Sequence, residues 1–346
     1  MKVSVRRLII FVCCLGIAQS AIAQSAAPPK TTPAAKSAAA KPVPKPQPPP
    51  VYAMPKTTDV TKLGEFLGKL LDFRPSTKEQ AAEYEQKAPA LMNALATRIT
   101  TLERDKDNPV HRFASKYLLA MKLVSLEKTS GQEKVSIYKE IQSNLMRSEM
   151  DADDIDIAIA FADSLQTIGD YRLASQAYSG FGKTLARNKE PLVQQLAATM
   201  EATARRLALP GKPMKMAGTP VNGPPFNWAS YQGKVVLIDF WATWCRPCLA
   251  ELPNVEKLYA KYNSRGFEVV SISMDEDRAK LDEFLAKKPM PWVVLHDEGG
   301  NPAAKYYGVN SVPTAILIDR SGNVVSLSAR GKTLEELLAK AMGDAK

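Results

Sequence analysis

Two cysteines stand three positions apart in Trp241-Ala242-Thr243-Trp244-Cys245-Arg246-Pro247-Cys248, a spacing from which a disulfide can close within one helical turn. The residues before them, Val235-Val236-Leu237-Ile238-Asp239-Phe240, form a nearly continuous apolar run, as a buried central strand does. A helix is expected over about 246–264. Cys245 then falls at a helix N-terminus, where the dipole and the free N–H groups favour a thiolate, and Arg246 adds positive charge. Cys248, one turn further in, is expected to be more buried. Cys245 is therefore the expected attacking thiol and Cys248 the resolving one, joined as a Cys245–Cys248 disulfide when oxidised. Pro247 suits an early helical position, since its missing N–H would find no partner there.

Competing chemistries lack the residues they need. Zinc takes about four ligands, and beyond this pair and the leader cysteines the chain offers only His111 and His296, so neither a metal nor a cofactor is expected. A peroxiredoxin needs Thr or Ser three residues before its cysteine and Pro further upstream, and Ala242 and Ile238 occupy those places. Asp275, Glu276 and Asp277 are read as a loop and helix cap rather than a metal cluster. Trp241 and Trp244 flank the pair and are expected to shape its rim.

The elements that must hold the pair follow from periodicity. From about residue 214, strands are expected at 235–240, 267–273, 292–295, 314–318 and 324–327, with helices at 246–264, 278–287, 302–307 and 333–341. The short turn Arg320-Ser321-Gly322-Asn323 makes the last two strands an antiparallel hairpin, so this is an α/β domain with a mixed sheet. Residues 57–209 show helical periodicity throughout, from Leu63, Phe66, Leu67, Leu70 and Leu71 onward, with further helices near 110–127, 132–147, 152–168, 171–187 and 190–208. Ser76-Thr77-Lys78-Glu79 is a capping box, Pro89 is expected to kink or divide its helix, and Asn108-Pro109 opens the next. Short connections imply antiparallel helical hairpins, and Gly169–Tyr178 resembles one hairpin of a tetratricopeptide-type repeat, without a second copy at a fixed period. Such a surface could bind a protein partner or serve as a spacer. Pro210-Gly211-Lys212-Pro213 breaks the helices and sets the expected boundary between domains 57–209 and 214–346.

Length supports this division, because 346 residues suggest about two domains. Residues 1–23 have the form of a secretory signal: Lys2, Arg6 and Arg7, then apolar Leu8 to Ala18, then Ala21-Ile22-Ala23. Its removal takes Cys13 and Cys14, leaving a single close pair and no long-range disulfide framework. Residues 24–56, rich in Ala, Pro and Lys, are an expected disordered spacer, and no later segment is long and apolar enough to span a membrane. The net charge of +10 suggests nucleic acid until it is located. Residues 1–58 hold eight basic residues and no acid, leaving 38 basic against 36 acidic in the rest, so nucleic-acid binding loses its support.

Residues about 214–346 resemble the thioredoxin superfamily, in particular its exported TlpA/ResA-type thiol:disulfide oxidoreductases. The resemblance rests on Gly233 through Cys248, then Glu251-Leu252-Pro253, then Val312-Pro313-Thr314. It implies a thioredoxin fold, with residues 278–295 as the insertion of the TlpA type and an N-terminal β-hairpin at Met214–Met216 and Phe226–Trp228. It also implies that Cys245 and Cys248 are the redox pair, that Pro313 is a cis-proline facing it, and that Val312 pairs with an extended partner beside Trp244. Asp239 corresponds to the buried acid of thioredoxin and Glu251 to an acid near the site in the ResA type, so the resemblance leaves open which of them moves the proton; burial within an apolar strand makes Asp239 the expected one, with Glu251 secondary. The expectation is an all-α helical-hairpin domain followed by an α/β thioredoxin fold, in an exported, periplasmic or tethered enzyme exchanging disulfides with protein thiols. The alternative is a helical adaptor whose redox domain is regulatory or vestigial.

Overall fold

A computed structural model describes Pro48 and residues 50–148 and 150–344. The expected signal and most of the expected spacer lie outside the described residues. Among the described residues no helix is long and apolar enough to cross a membrane. Packing divides the chain into two compact units, one ending at Ser164 and one beginning at Leu165.

The first unit is helical: α1 (Val60–Asp72), α2 (Lys78–Leu102), α3 (Pro109–Val124), α4 (Gly131–Leu145) and most of α5 (Ala152–Thr167). Each buries one apolar stripe, such as Leu63, Leu67 and Leu70 of α1 and Met92, Leu95 and Ile99 of α2. The caps are local. Asn108 Oδ1 accepts from the Val110 N–H with Pro109 opening α3, and Asp151 Oδ1 accepts from the N–H groups of Asp153 and Asp154 at the start of α5. Two sequence expectations are corrected. The cap of α2 is Thr77, one residue later than a box on Ser76 and Glu79, because the Ser76 N–H and hydroxyl both bond Gln80 Oε1. Of the two outcomes expected at Pro89, a kink or a division, division does not occur, since the helix runs unbroken for 25 residues. The buried stripe on both sides of Pro89 keeps the helix together across the missing hydrogen bond.

The second unit contains the sheet. Its strands β1 (Val235–Trp241), β2 (Phe267–Ser273), β3 (Val293–Leu295), β4 (Thr314–Ile318) and β5 (Val324–Ser326) lie in the order β3-β2-β1-β4-β5. The first three are parallel, and β4 and β5 run antiparallel, so the sheet is mixed. Helices α8 (Arg246–Tyr262), α9 (Arg278–Lys287), α10 (Pro302–Tyr306) and α11 (Gly331–Ala341) complete it. Leu252, Val255 and Leu258 of α8 and Leu334 and Leu338 of α11 bury Val235 and Leu237 of β1. Side chains alternate along a strand, so Asp239 and Trp241 lie on that same face.

The expected N-terminal β-hairpin is absent among the described residues. Residues 228–231 form a 3-10 turn, and Met214 and Trp228 meet through a side chain, with Trp228 Nε1 donating to the Met214 carbonyl at 3.0 Å. Residues 210–213, the expected domain boundary, bridge to the sheet edge: the Gly211 N–H donates to the Val324 carbonyl, and the Val324 N–H donates to the Lys212 carbonyl. Residues 219–221 line the opposite edge, where the Val221 N–H donates to Val294 and the His296 N–H donates to Thr219.

The hairpin of α6 (Tyr171–Leu185) and α7 (Pro191–Leu207) also belongs to this second unit, so the packing boundary lies about 45 residues before the one read from Pro210–Pro213. The cause is a direct contact with the segment after α10. Gly308 has φ +60°, and a Cβ there would stand 2.6 Å from the Thr203 backbone nitrogen, so only glycine lets α7 approach. Arg205 Nε donates to the Tyr306 carbonyl at 2.9 Å, and its guanidinium lies over the Tyr306 ring.

A fragment of residues 165–346 is therefore expected to unfold in one transition. Residues 210–346 should melt roughly 10 °C lower, since several kcal/mol of packing is lost at about 2–4 °C per kcal/mol. Equal melting temperatures by circular dichroism would show that the α6–α7 hairpin contributes no stability to the sheet.

Candidate active site

β1 delivers its C-terminal end to the start of α8, and the cysteines sit at that junction. Cys245 is the N-cap of α8, with φ −86° and ψ 92°, and its sulfur accepts from the Cys248 N–H at 3.3 Å. A sulfur thus occupies the place of a capping oxygen, taking one of the helix's unpaired donors. Pro247 fills the second helical position, where no N–H is needed. The two sulfurs form a disulfide with Cα atoms 5.3 Å apart. Both cysteines are 4% exposed, so the difference in burial expected from their helix positions does not appear in this oxidised form. They share one apolar cluster with Trp241, Ala242, Leu281 and Val294, and Val221 and Val312 pack against it.

The loop before Cys245 is held from β2. The Asp275 carboxylate, 7% exposed, accepts from the Thr243 N–H, from the Thr243 hydroxyl at 2.6 Å and from the Ser273 hydroxyl at 2.8 Å. His296, also buried, bonds the Asp275 carbonyl through Nε2. Asp277 caps α9 by accepting from the Ala279 N–H. α9 then sends Leu281 and Phe284 against the site, with the Phe284 ring 5.3 Å from Trp241. Trp244 stands 64% exposed at the rim. The Val312–Pro313 bond is cis, and Val312 touches the cysteine cluster.

Two acids belong to the elements that meet at the pair, Asp239 on β1 and Glu251 on α8. Asp239 is the only residue of β1 that is not fully buried, yet burial pushes its carboxyl up to about 7. Arg330 opposes that rise and Glu251 adds to it. Glu251 itself is engaged, with Oε1 accepting from Asn254 Nδ2 at 2.9 Å and from the Gly331 N–H at 2.8 Å. It thereby caps α11 from α8. No three His, Cys, Asp or Glu residues cluster to hold a metal ion among the described residues.

Residues 209–339 match the Redoxin family. Over 119 residues the chain is 34% identical to the thiol-disulfide oxidoreductase ResA of Bacillus thuringiensis subsp. konkukian (strain 97-27), which covers 34% of this chain and 68% of that relative. The chain belongs to the ResA family of thiol-disulfide oxidoreductases. The ResA of Oceanobacillus iheyensis is 32% identical over 130 residues, covering 38% of this chain and 67% of that one. A solved thiol:disulfide interchange protein from Bacteroides sp. has 25% identity and a TM-score of 0.36, covering 40% of this chain and 92% of that one. The disulfide, Asp239, Glu251, Val312 and Pro313 all lie within the stretch that matches the Redoxin family, while α1–α7 precede it.

Sequence reasoning missed Asp275 and Arg330 as site residues. Asp275 stands in an acidic trio that resembles any solvated loop, and Arg330 lies 82 residues beyond Cys248 in a stretch without periodicity. The apolar spacing of Leu281, Phe284 and Leu285 on α9 was a usable signal, since three such residues on one helix face need a surface to cover.

The Asp239 value carries a stability consequence. Its folded pKa is raised, so stability present at low pH is lost as the pH rises from about 4 through 7. Asp239→Asn is expected to stabilise the oxidised protein at pH 8, by at most about 4 kcal/mol, with the gain vanishing near pH 4. Urea unfolding at the two pH values measures this, and a gain independent of pH would contradict it.

Proposed function

We propose that this ResA-family enzyme is exported and exchanges disulfides with protein thiols through Cys245 and Cys248. The observation that carries the reading is the sulfur of Cys245 capping α8 and accepting the Cys248 N–H. In the reduced protein the same donor and the helix dipole stabilise a Cys245 thiolate, which attacks the partner. Cys248 then resolves the mixed disulfide. Asp239 takes and returns the Cys248 proton, because it lies on the face of β1 that packs against α8 and its pKa of about 7 suits transfer near neutrality. Glu251 is secondary, since its Oε1 is committed to the Gly331 N–H. Val312, Pro313 and Trp244 receive an extended segment of the partner at the rim. Export is supported by the signal-like residues 1–23, a periplasmic or tethered location follows from it, and the helices up to Ser164 are the part free to select a protein partner. The single remaining pair gives the adaptor reading no separate observation in its favour.

Cys245→Ser should abolish exchange, and a limiting alkylating reagent at pH 6 should label Cys245 of the reduced protein before Cys248. First labelling of Cys248 would reverse the roles. With Cys248→Ala, mixed disulfides should accumulate on Cys245, and the full chain should capture a narrower set of partners than residues 165–346. Identical sets would assign the first unit a spacer role.

A further inference from the structure

The disulfide is not the only tie that keeps Cys245 at the start of α8, and when it opens the others must suffice. On the C-terminal side the Leu249 N–H donates to the Cys245 carbonyl at 3.1 Å, the first bond of the helix. On the N-terminal side Cys245 closes a tight turn, its N–H donating to the Ala242 carbonyl at 3.1 Å. Thr243 and Trp244 stand at the centre of that turn. Trp244, being mostly exposed, gives it little packing. Thr243 anchors it: its N–H donates to Asp275 Oδ2 at 3.1 Å and its hydroxyl to Asp275 Oδ1 at 2.6 Å. Asp275 is itself held at three points. Ser273 Oγ donates to Oδ2 at 2.8 Å, the Asp275 N–H donates to Ser273 Oγ at 3.1 Å, and His296 Nε2 bonds the Asp275 carbonyl at 2.9 Å. One residue earlier, the Met274 N–H donates to the Trp241 carbonyl at 2.8 Å, so the ends of β1 and β2 are joined where the turn begins. A carboxylate as buried as that of Asp275 must be hydrogen-bonded, so the bonds to Thr243 and Ser273 are obligatory.

We propose that Thr243 and Asp275 are positioning residues for the exchange reaction: their bonds hold the Ala242–Cys245 turn so that the Cys245 sulfur stays on the Cys248 N–H once the disulfide has opened. This rests on Cys245 reacting as a thiolate at the start of α8. In the oxidised protein the covalent bond itself keeps the sulfur there, 3.3 Å from the Cys248 nitrogen. Reduction removes that tie: the pair takes up two electrons and two protons from a reducing dithiol, which leaves as a disulfide. The Cys245 side chain can then rotate among its staggered positions. Off the helix start, its thiolate would lose both the N–H and the dipole, whose effect is confined to the first turn. The sulfur returns to that N–H only if the Cys245 backbone keeps its cap conformation. The helix fixes that backbone from one side, the turn fixes it from the other, and Asp275 fixes the turn. The negative charge of Asp275 acts with the opposite sign, since a carboxylate near a thiol disfavours the thiolate. Position and charge are therefore separable by the direction in which Cys245 moves.

The test titrates Cys245 in the full chain carrying Cys248→Ala, which keeps the N–H of residue 248. The reduced protein is alkylated with iodoacetamide from pH 4 to 9, and the peptide that holds Cys245 is read by mass spectrometry. Thr243→Val keeps the shape of the side chain and removes its hydroxyl. It should move the profile upward by roughly one pH unit, slowing alkylation below the midpoint about tenfold. Thr243→Ser, which keeps both donors, should restore the parent profile. Asp275→Asn should move the profile upward as well; a downward move would make the carboxylate's charge the cause and overturn the proposal. With both cysteines present, Thr243→Val should shift the equilibrium with glutathione about tenfold toward the protein disulfide, about 30 mV, because the thiolate is less favoured. A profile unmoved by Thr243→Val, with or without a lowered melting temperature, would leave the bonds a role in stability alone and overturn the proposal by itself. A Cys245 midpoint in the parent chain no lower than that of a free thiol, about 8.5, would overturn the thiolate reading and this proposal together.

Discussion

Everything in the second unit serves the presentation of one helix start. The first N–H groups of a helix have no partners inside it, and α8 meets that need with a sulfur, the Cys245 Sγ that accepts from Cys248. A thiol in that place becomes more acidic than a free one, which is the property an exchange enzyme requires. The arrangement works only if the junction between β1 and α8 is held rigidly. Asp275 holds it by binding both the backbone and the hydroxyl of Thr243, and α9 packs Leu281 and Phe284 against it.

The same helix start creates an electrostatic difficulty. An acid near Cys248 is useful only if it changes charge near neutrality, and burial alone would hold it neutral. Asp239 is placed among apolar neighbours on β1, which raises it, while Arg330 pulls in the other direction. Glu251 spends its accepting oxygen on Gly331, so the two acids stand in different settings. Packing between α8 and α11 therefore also sets charge balance around the site.

Sheet edges are the other constraint, since an open edge invites pairing with other chains. Both edges here are covered by segments that look like loops. Residues 210–213 run along β5, and residues 219–221 run along β3. The Pro-Gly-Lys-Pro stretch is consequently bonded to the sheet edge, and the hairpin before it is drawn into the same unit through Gly308 and Arg205.

Much of this was legible in the residues alone. The cysteine pair after an apolar run before a helix, the five strands, and the close of the sheet in a hairpin are local patterns, and local patterns survive without tertiary information. Caps such as Asn108 and Asp277 are equally local, because the capping oxygen and its N–H lie two or three residues apart. What the sequence did not hold was every contact between distant segments. Arg330 meets Pro247 across 83 residues, Thr243 meets Asp275 across 32, and Arg205 meets Tyr306 across 101. Their residue types are those of ordinary solvated loops, and no periodicity marks them. The expected hairpin at Met214 failed for the same reason: Trp228 and Tyr307 bond that segment's backbone, and only the folded chain brings them there. Sequence determined that a close cysteine pair sits where an apolar strand gives way to a helix. Tertiary structure decided which charges surround it, because a charge's effect depends on distance through space and on the water excluded between.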